Sequence, residues 1–131
     1  MNDKASQALA WLAKAGSDLT AARRLLDLGG PYDAVCFHAQ QAAEKALKAL
    51  LALAGAPIAR THNLEDLQQQ CLETFPSGAL PGLRGEDLSQ LTAFAVESRY
   101  DVEFWPTPSE AADAVAVATR IHAQAGAVIS K

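Results

Sequence analysis

The chain has 131 residues, a formal net charge of −4, 50% hydrophobic residues and only 6% aromatic ones. That length makes one domain, residues 1–131, with a core that needs no disulfide or metal. The apolar content excludes a disordered chain, and the acidic total argues against general coating of nucleic acid, although a small basic site for a phosphate stays open.

With so few aromatics the packing must rest on alanine and leucine, which favours closely approaching helices over sheets. The charge is uneven: residues 1–60 carry a balance of +2 and residues 61–131 a balance of −6. The N-terminal run MNDKASQALAWLAKAG lacks the pattern of a secretory leader. No stretch is apolar and charge-free for long enough to span a bilayer, so a cytoplasmic protein that does not engage membranes is expected.

The first helix is predicted over about residues 4–28. Leu9, Leu12, Ala15, Leu19, Ala22, Leu25 and Leu26 form its buried face, and Gly29-Gly30-Pro31 ends it. So short a loop returns the second helix antiparallel, from Tyr32 to Ala54, with Gly55 and Pro57 closing it. On a wheel this second helix is apolar around more than half its girth, through Val35, Cys36, Ala39, Ala42, Ala43, Ala46, Leu47, Ala49, Leu50, Leu51 and Leu53. A helix of that kind sits in the middle of a bundle. Its remaining arc carries Phe37, His38, Gln41, Glu44, Lys45 and Lys48; this stripe is expected along the exposed side or against a partner.

Asn63 is placed to cap a third helix over Leu64–Phe75, with Asp66 three residues on. The segment 76–85, PSGALPGLRG, is too rich in proline and glycine for a regular element. A fourth helix spans about 86–100 with Leu88, Leu91, Thr92 and Ala95 inward, and a loop then carries Phe104 and Trp105. In Thr107-Pro108-Ser109-Glu110 a capping residue, a proline at the first helical position and a capping-box acid stand together. They start a fifth helix whose core face is Ala111, Ala114, Val117, Ala118 and Ile121. The expected fold is all-α, an up-and-down bundle of about five helices. Cys36 and Cys71 belong to no metal-spaced cluster or C-x-x-C pair and are expected as reduced, partly buried thiols.

The run FHAQQAAEKALKAL (Phe37–Leu50), the later Thr61-His62-Asn63-Leu64-x-x-Leu67, Ser98-Arg99-Tyr100 and the helix after Pro108 together resemble the HEPN family, the nucleotide-binding-type domain of higher eukaryotes and prokaryotes. The resemblance spans nearly the whole chain. It implies a helical bundle that commonly forms homodimers, often beside a small nucleotidyltransferase, in some cases as toxin and antitoxin. Many active members are metal-independent ribonucleases that use an arginine followed, after four to six residues, by a histidine. This sequence departs from that pattern. After Arg99, residues 104, 105 and 106 are Phe, Trp and Pro, and no arginine precedes His38, His62 or His122 at that spacing. The usual general acid/base near neutral pH is therefore missing from its place.

Several residues are candidates for a ligand. Lys45 and Lys48 lie about one turn apart, with His38 and Gln41 along the same side. Together they offer cations and hydrogen bonds to a phosphate while Tyr100 or Trp105 stacks on a base. Alternatively the lysines cover a helix face, Lys48 pairing with Glu44. Arg99 needs an anion, either Asp101 or Glu103 nearby or a ligand at a dimer seam. His62 either fastens its loop by a hydrogen bond or lines the site beside the second helix, and Gln40 suits a buried amide tying helices together. Phe104 and Trp105 either plug the end of the bundle or form a protein contact.

The histidines are too dispersed for a metal site, the glycine-rich phosphate loop is absent, and no cofactor or catalytic residue is assigned. The leading expectation is a non-catalytic, nucleotide-responsive or partner-binding accessory protein. It is expected as a homodimer, with a nucleotidyltransferase-like protein as second partner and no role for RNA. An atypical ribonuclease using Arg99, His62 and Lys45, and a purely structural interaction module, are the alternatives.

Overall fold

The computed structural model describes residues 3–58 and 60–130, the side chains at 95, 96, 98 and 99 excepted. The inward position expected of Ala95 therefore lies outside the described residues. Among the described residues six helices follow one another, α1 (Lys4–Asp27), α2 (Tyr32–Ala54), α3 (Leu64–Thr74), α4 (Pro81–Arg84), α5 (Ser89–Tyr100) and α6 (Pro108–Ile129). Among the described residues there is no strand. The extra element is the single turn α4, inside the segment expected to be irregular. Pro81 pre-sets its first turn, and Leu80 and Leu83 are buried beside it, so apolar anchoring overrides the local proline and glycine content.

The caps explain where the long helices begin. Asp3 accepts from the Ser6 amide at the start of α1, and Asn63 accepts from the Asp66 amide at the start of α3. At α6 Thr107 and Glu110 exchange the two bonds of a capping box. The other end of α2 closes on Gly55, whose φ of +70° is a left-handed conformation natural to glycine. A side chain there would also strike Lys4, 2.5 Å from the position of a Cβ. Lys4 thus brings a cation to the C-terminal end of α2, which has no basic residue of its own in its last turn.

α2 is the central helix, packed by α1, α3, α5 and α6. Ala39, Ala42, Ala43, Ala46 and Ala49 are fully buried, and their small side chains let the neighbouring helices come close. Leu47, Leu50, Leu51, Leu64, Leu67, Leu83, Leu88 and Ile121 fill the space between, each stabilising by about 1.5–3 kcal/mol on burial. The expected buried face of α1 needs one correction. Leu9 is 53% exposed, because it lies about 100° around the helix from the buried line Ala8, Ala15, Leu19 and Ala22. Among the described residues no helix is long and apolar enough to cross a membrane.

A carboxylate-centred polar seam on the central helix

The polar arc of α2 does not form an open face. Gln40, Glu44 and Lys48 are buried, at 1%, 4% and 8% exposure, while His38, Gln41 and Lys45 are half-buried. Two neighbours cover the arc. On one side α1 lies antiparallel and leans Trp11 against Lys48, whose Nζ is 5.8 Å from the ring centroid. On the other, the loop before α3 lays His62 and its backbone carbonyl over Gln40 and Glu44.

Two carboxylates organise this seam. Asp18 of α1 accepts from Lys45 Nζ at 2.6 Å and from His38 Nδ1 at 2.9 Å, one oxygen for each. Glu44 of α2 accepts from Lys48 Nζ at 3.0 Å on one oxygen, and from His62 Nδ1 at 3.0 Å and Gln40 Nε2 at 3.1 Å on the other. Each acid therefore holds one lysine and one histidine. In each group the lysine and the carboxylate offset one another in charge, which is how charged side chains are accommodated at this depth. Burial pushes the Glu44 carboxyl upward, but the bonds from Lys48, His62 and Gln40 outweigh it and hold the group below its ordinary value.

Gln40 also donates to the His62 carbonyl at 3.4 Å, so this buried amide ties α2 to the following loop and not to another helix. The Oε1 atoms of Gln40 and Gln41 are buried and have no hydrogen-bond partner among the described residues. His62 fastens its loop through Nδ1, and its side chain stays 62% exposed. His38 stacks edge-on with Phe37 at 5.4 Å. Among the described residues no three His, Cys, Asp or Glu side chains are grouped to hold a metal ion.

The predicted ligand residues thus fall into two sets plus two outliers. His38 and Lys45 meet on Asp18, Lys48 and His62 meet on Glu44, and Gln41 lies between them on the same helix. Tyr100 is 78% exposed at the end of α5, and the Arg99 side chain lies outside the described residues. The loop aromatics divide. Phe104 packs on Phe94 with ring centroids 5.7 Å apart, while Trp105 is 71% exposed. Burial also raises the thiols of Cys36 and Cys71 to about 12, far from any reactive state.

Asp18 is the member of the seam that sequence reasoning misses. Reflecting the chain about the Gly29–Pro31 turn sets Asp18 opposite Ala42, midway between His38 and Lys45, and sets Trp11 opposite Ala49, beside Lys48. The register of the α1–α2 hairpin contains the signal.

Comparison with known proteins agrees with this architecture. The sequence profile of the HEPN domain matches residues 8–126. Among solved structures, the chain resembles the Thermus thermophilus protein TT1696 with a TM-score of 0.72 and 30% identity, over 93% of this chain and 98% of that one. It also resembles ST0689, described as an archaeal HEPN homologue, with a TM-score of 0.69 and 29% identity, over 98% and 99% of the two chains. No curated protein matches the chain significantly.

Proposed function

The chain belongs to the HEPN domain family, and we propose that it acts within that family by binding rather than by cutting. On this reading it is a non-catalytic accessory module that self-associates as a homodimer. It responds to a nucleotide or engages a second protein, of which a nucleotidyltransferase-like protein is the expected example. The observation that supports this reading best is the neutralisation of the seam. Lys45 and Lys48 each already hold a carboxylate within the chain, so neither is a free cation for the charge that builds on a phosphate during cleavage. The missing Arg-x4–6-His spacing points the same way.

The test combines sedimentation of the full chain with calorimetric titration of ATP, GTP and their monophosphates. Self-association, or saturable heat, supports a binding module. A monomer at high concentration that takes up no nucleotide contradicts it.

One observation favours a second reading. Glu44, buried, holds Nδ1 of the largely exposed His62 side chain, the pairing by which a carboxylate prepares an imidazole as a general base. On this reading the chain is an atypical ribonuclease, with His62 as base and Lys45 and Arg99 as its cations. It requires RNA cleavage that is lost in His62→Ala.

A further inference from the structure

The outer flank of α1 carries a feature that the polar seam does not use. Gln7, Ala10, Trp11 and Lys14 line an open groove of about 370 Å³. They recur at i, i+3, i+4 and i+7, one face of the helix, over about 10 Å of its length. Trp11 is its centre: half-buried, packed on the core cluster, with Lys48 beside its ring. The small side chain of Ala10 leaves room next to the indole. The two ends are polar and unlike each other. Lys14 is exposed and makes no ion pair among the described residues, in contrast to Lys45 and Lys48. Gln7 is exposed, with its side-chain amide unbonded among the described residues.

We propose that this groove binds a planar aromatic anion, its ring against Trp11, its negative group on the Lys14 ammonium and its polar edge toward Gln7. The proposal rests on the binding reading above and moves the ligand off the neutralised seam onto the adjoining flank of α1. Volume sets the size of the occupant. Small-molecule sites run from about 300 to 1,000 Å³, and the groove, at about 370 Å³, has room for the ring and charged group of a nucleoside monophosphate or an aromatic carboxylate. Charge sets its sign, because Lys14 is a cation with no counter-ion of its own among the described residues. An inorganic anion would leave the indole uncovered, and a neutral ring would leave Lys14 unanswered. A docked helix fits poorly, since the exposed large apolar side chain on this part of α1, Leu9, points about 160° away from Trp11.

The experiment follows the indole N–H resonance of Trp11 in full-length protein. The chain has two tryptophans, and replacing the exposed Trp105 (Trp105→Phe) leaves Trp11 as the one indole signal. The probes are AMP, 4-hydroxybenzoate, adenosine and inorganic phosphate. AMP or 4-hydroxybenzoate is expected to shift the resonance saturably, and whichever binds more tightly identifies the source of the anion. Adenosine is expected to bind about tenfold more weakly than AMP, and Lys14→Gln to weaken the anion about tenfold, as loss of one charge-assisted hydrogen bond requires. Arg84→Gln, an exposed change on α4, is expected to leave the affinity unchanged.

An unmoved indole at millimolar concentrations of every probe overturns the proposal, as does unaltered affinity in Lys14→Gln with the helical spectrum intact. A shift produced only by a protein partner overturns it too. Calorimetric heat from a nucleotide without any indole shift sinks the groove but leaves the binding reading standing. A groove that binds only 4-hydroxybenzoate, with no nucleotide heat and a monomeric chain, does the reverse.

Discussion

Removing the Glu44 carboxylate is the most informative single perturbation of the seam. Glu44→Ala withdraws the acceptor of three hydrogen bonds and leaves Lys48 charged at 8% exposure. Breaking a buried pair from one side costs about 3–5 kcal/mol. The lower end applies here, because the His62 ring is largely in water and the Lys48 stem has some freedom to reach solvent. A loss of about 3 kcal/mol is expected. In urea, with a slope of about 1.5–2 kcal/mol per molar for a domain of this size, the midpoint falls by about 1.5–2 M. Removing the lysine as well, in Glu44→Leu with Lys48→Met, leaves no unpaired charge and should restore most of the loss. The assay is urea unfolding followed by helical circular dichroism, with Glu44→Ala, the singles Glu44→Leu and Lys48→Met, and their double. A Glu44→Ala loss below about 1 kcal/mol, or single losses that simply add in the double, would show that the pair is not the staple described here.

Four further outcomes are expected. Because Glu44 titrates below its ordinary value of 4.5 in the folded chain, its contribution is present above that value and fades as the pH falls through the lower folded one. Wild type and Glu44→Gln should therefore converge in stability in acid and separate at neutral pH; constant separation across the titration refutes this. Asp18→Asn, which gives up the charge held by Lys45 and His38, should cost about 1–2 kcal/mol in the same urea assay, and an unchanged midpoint would contradict the α1–α2 pairing. Thr107→Ala removes the capping box of α6 and should cost about 1 kcal/mol, seen as a lower melting temperature, whereas an unmoved melt would deny the cap its role. Both cysteines, buried and raised to about 12, should resist a thiol reagent in mildly alkaline buffer until denaturant is added; rapid native labelling would place either one at the surface.

Much of the fold is legible because local signals and long-range packing agree. The Gly29–Pro31 turn, the Asn63 cap and the Thr107–Glu110 box each mark a helix boundary within a residue or two of where it falls. The apolar girth of α2 announces its central place. The departures share one physical cause, which is tertiary packing. Buried Leu80 and Leu83 draw a turn of helix out of a proline- and glycine-rich segment. Glu44 and Lys48 read as solvated on a wheel, yet a neighbouring indole and a loop histidine close over them, and their mutual charge permits that burial. A wheel shows which residues share a face of one helix and says nothing of what lies across it. Asp18 is invisible to it for that reason, although the hairpin register places it. The loop aromatics stand as neighbours in sequence and behave singly, since the Asp101–Phe104 turn tucks Phe104 inward and leaves Trp105 outside.

The claim that the chain binds without cutting is tested most directly on RNA itself. Purified full-length protein, wild type and His62→Ala, would be incubated with end-labelled single-stranded and structured RNAs, with and without chelator. The account predicts that every substrate stays intact with both proteins. Cleavage by the wild type that disappears in His62→Ala, with the helical spectrum unchanged, would contradict it and identify the Glu44–His62 pair as catalytic.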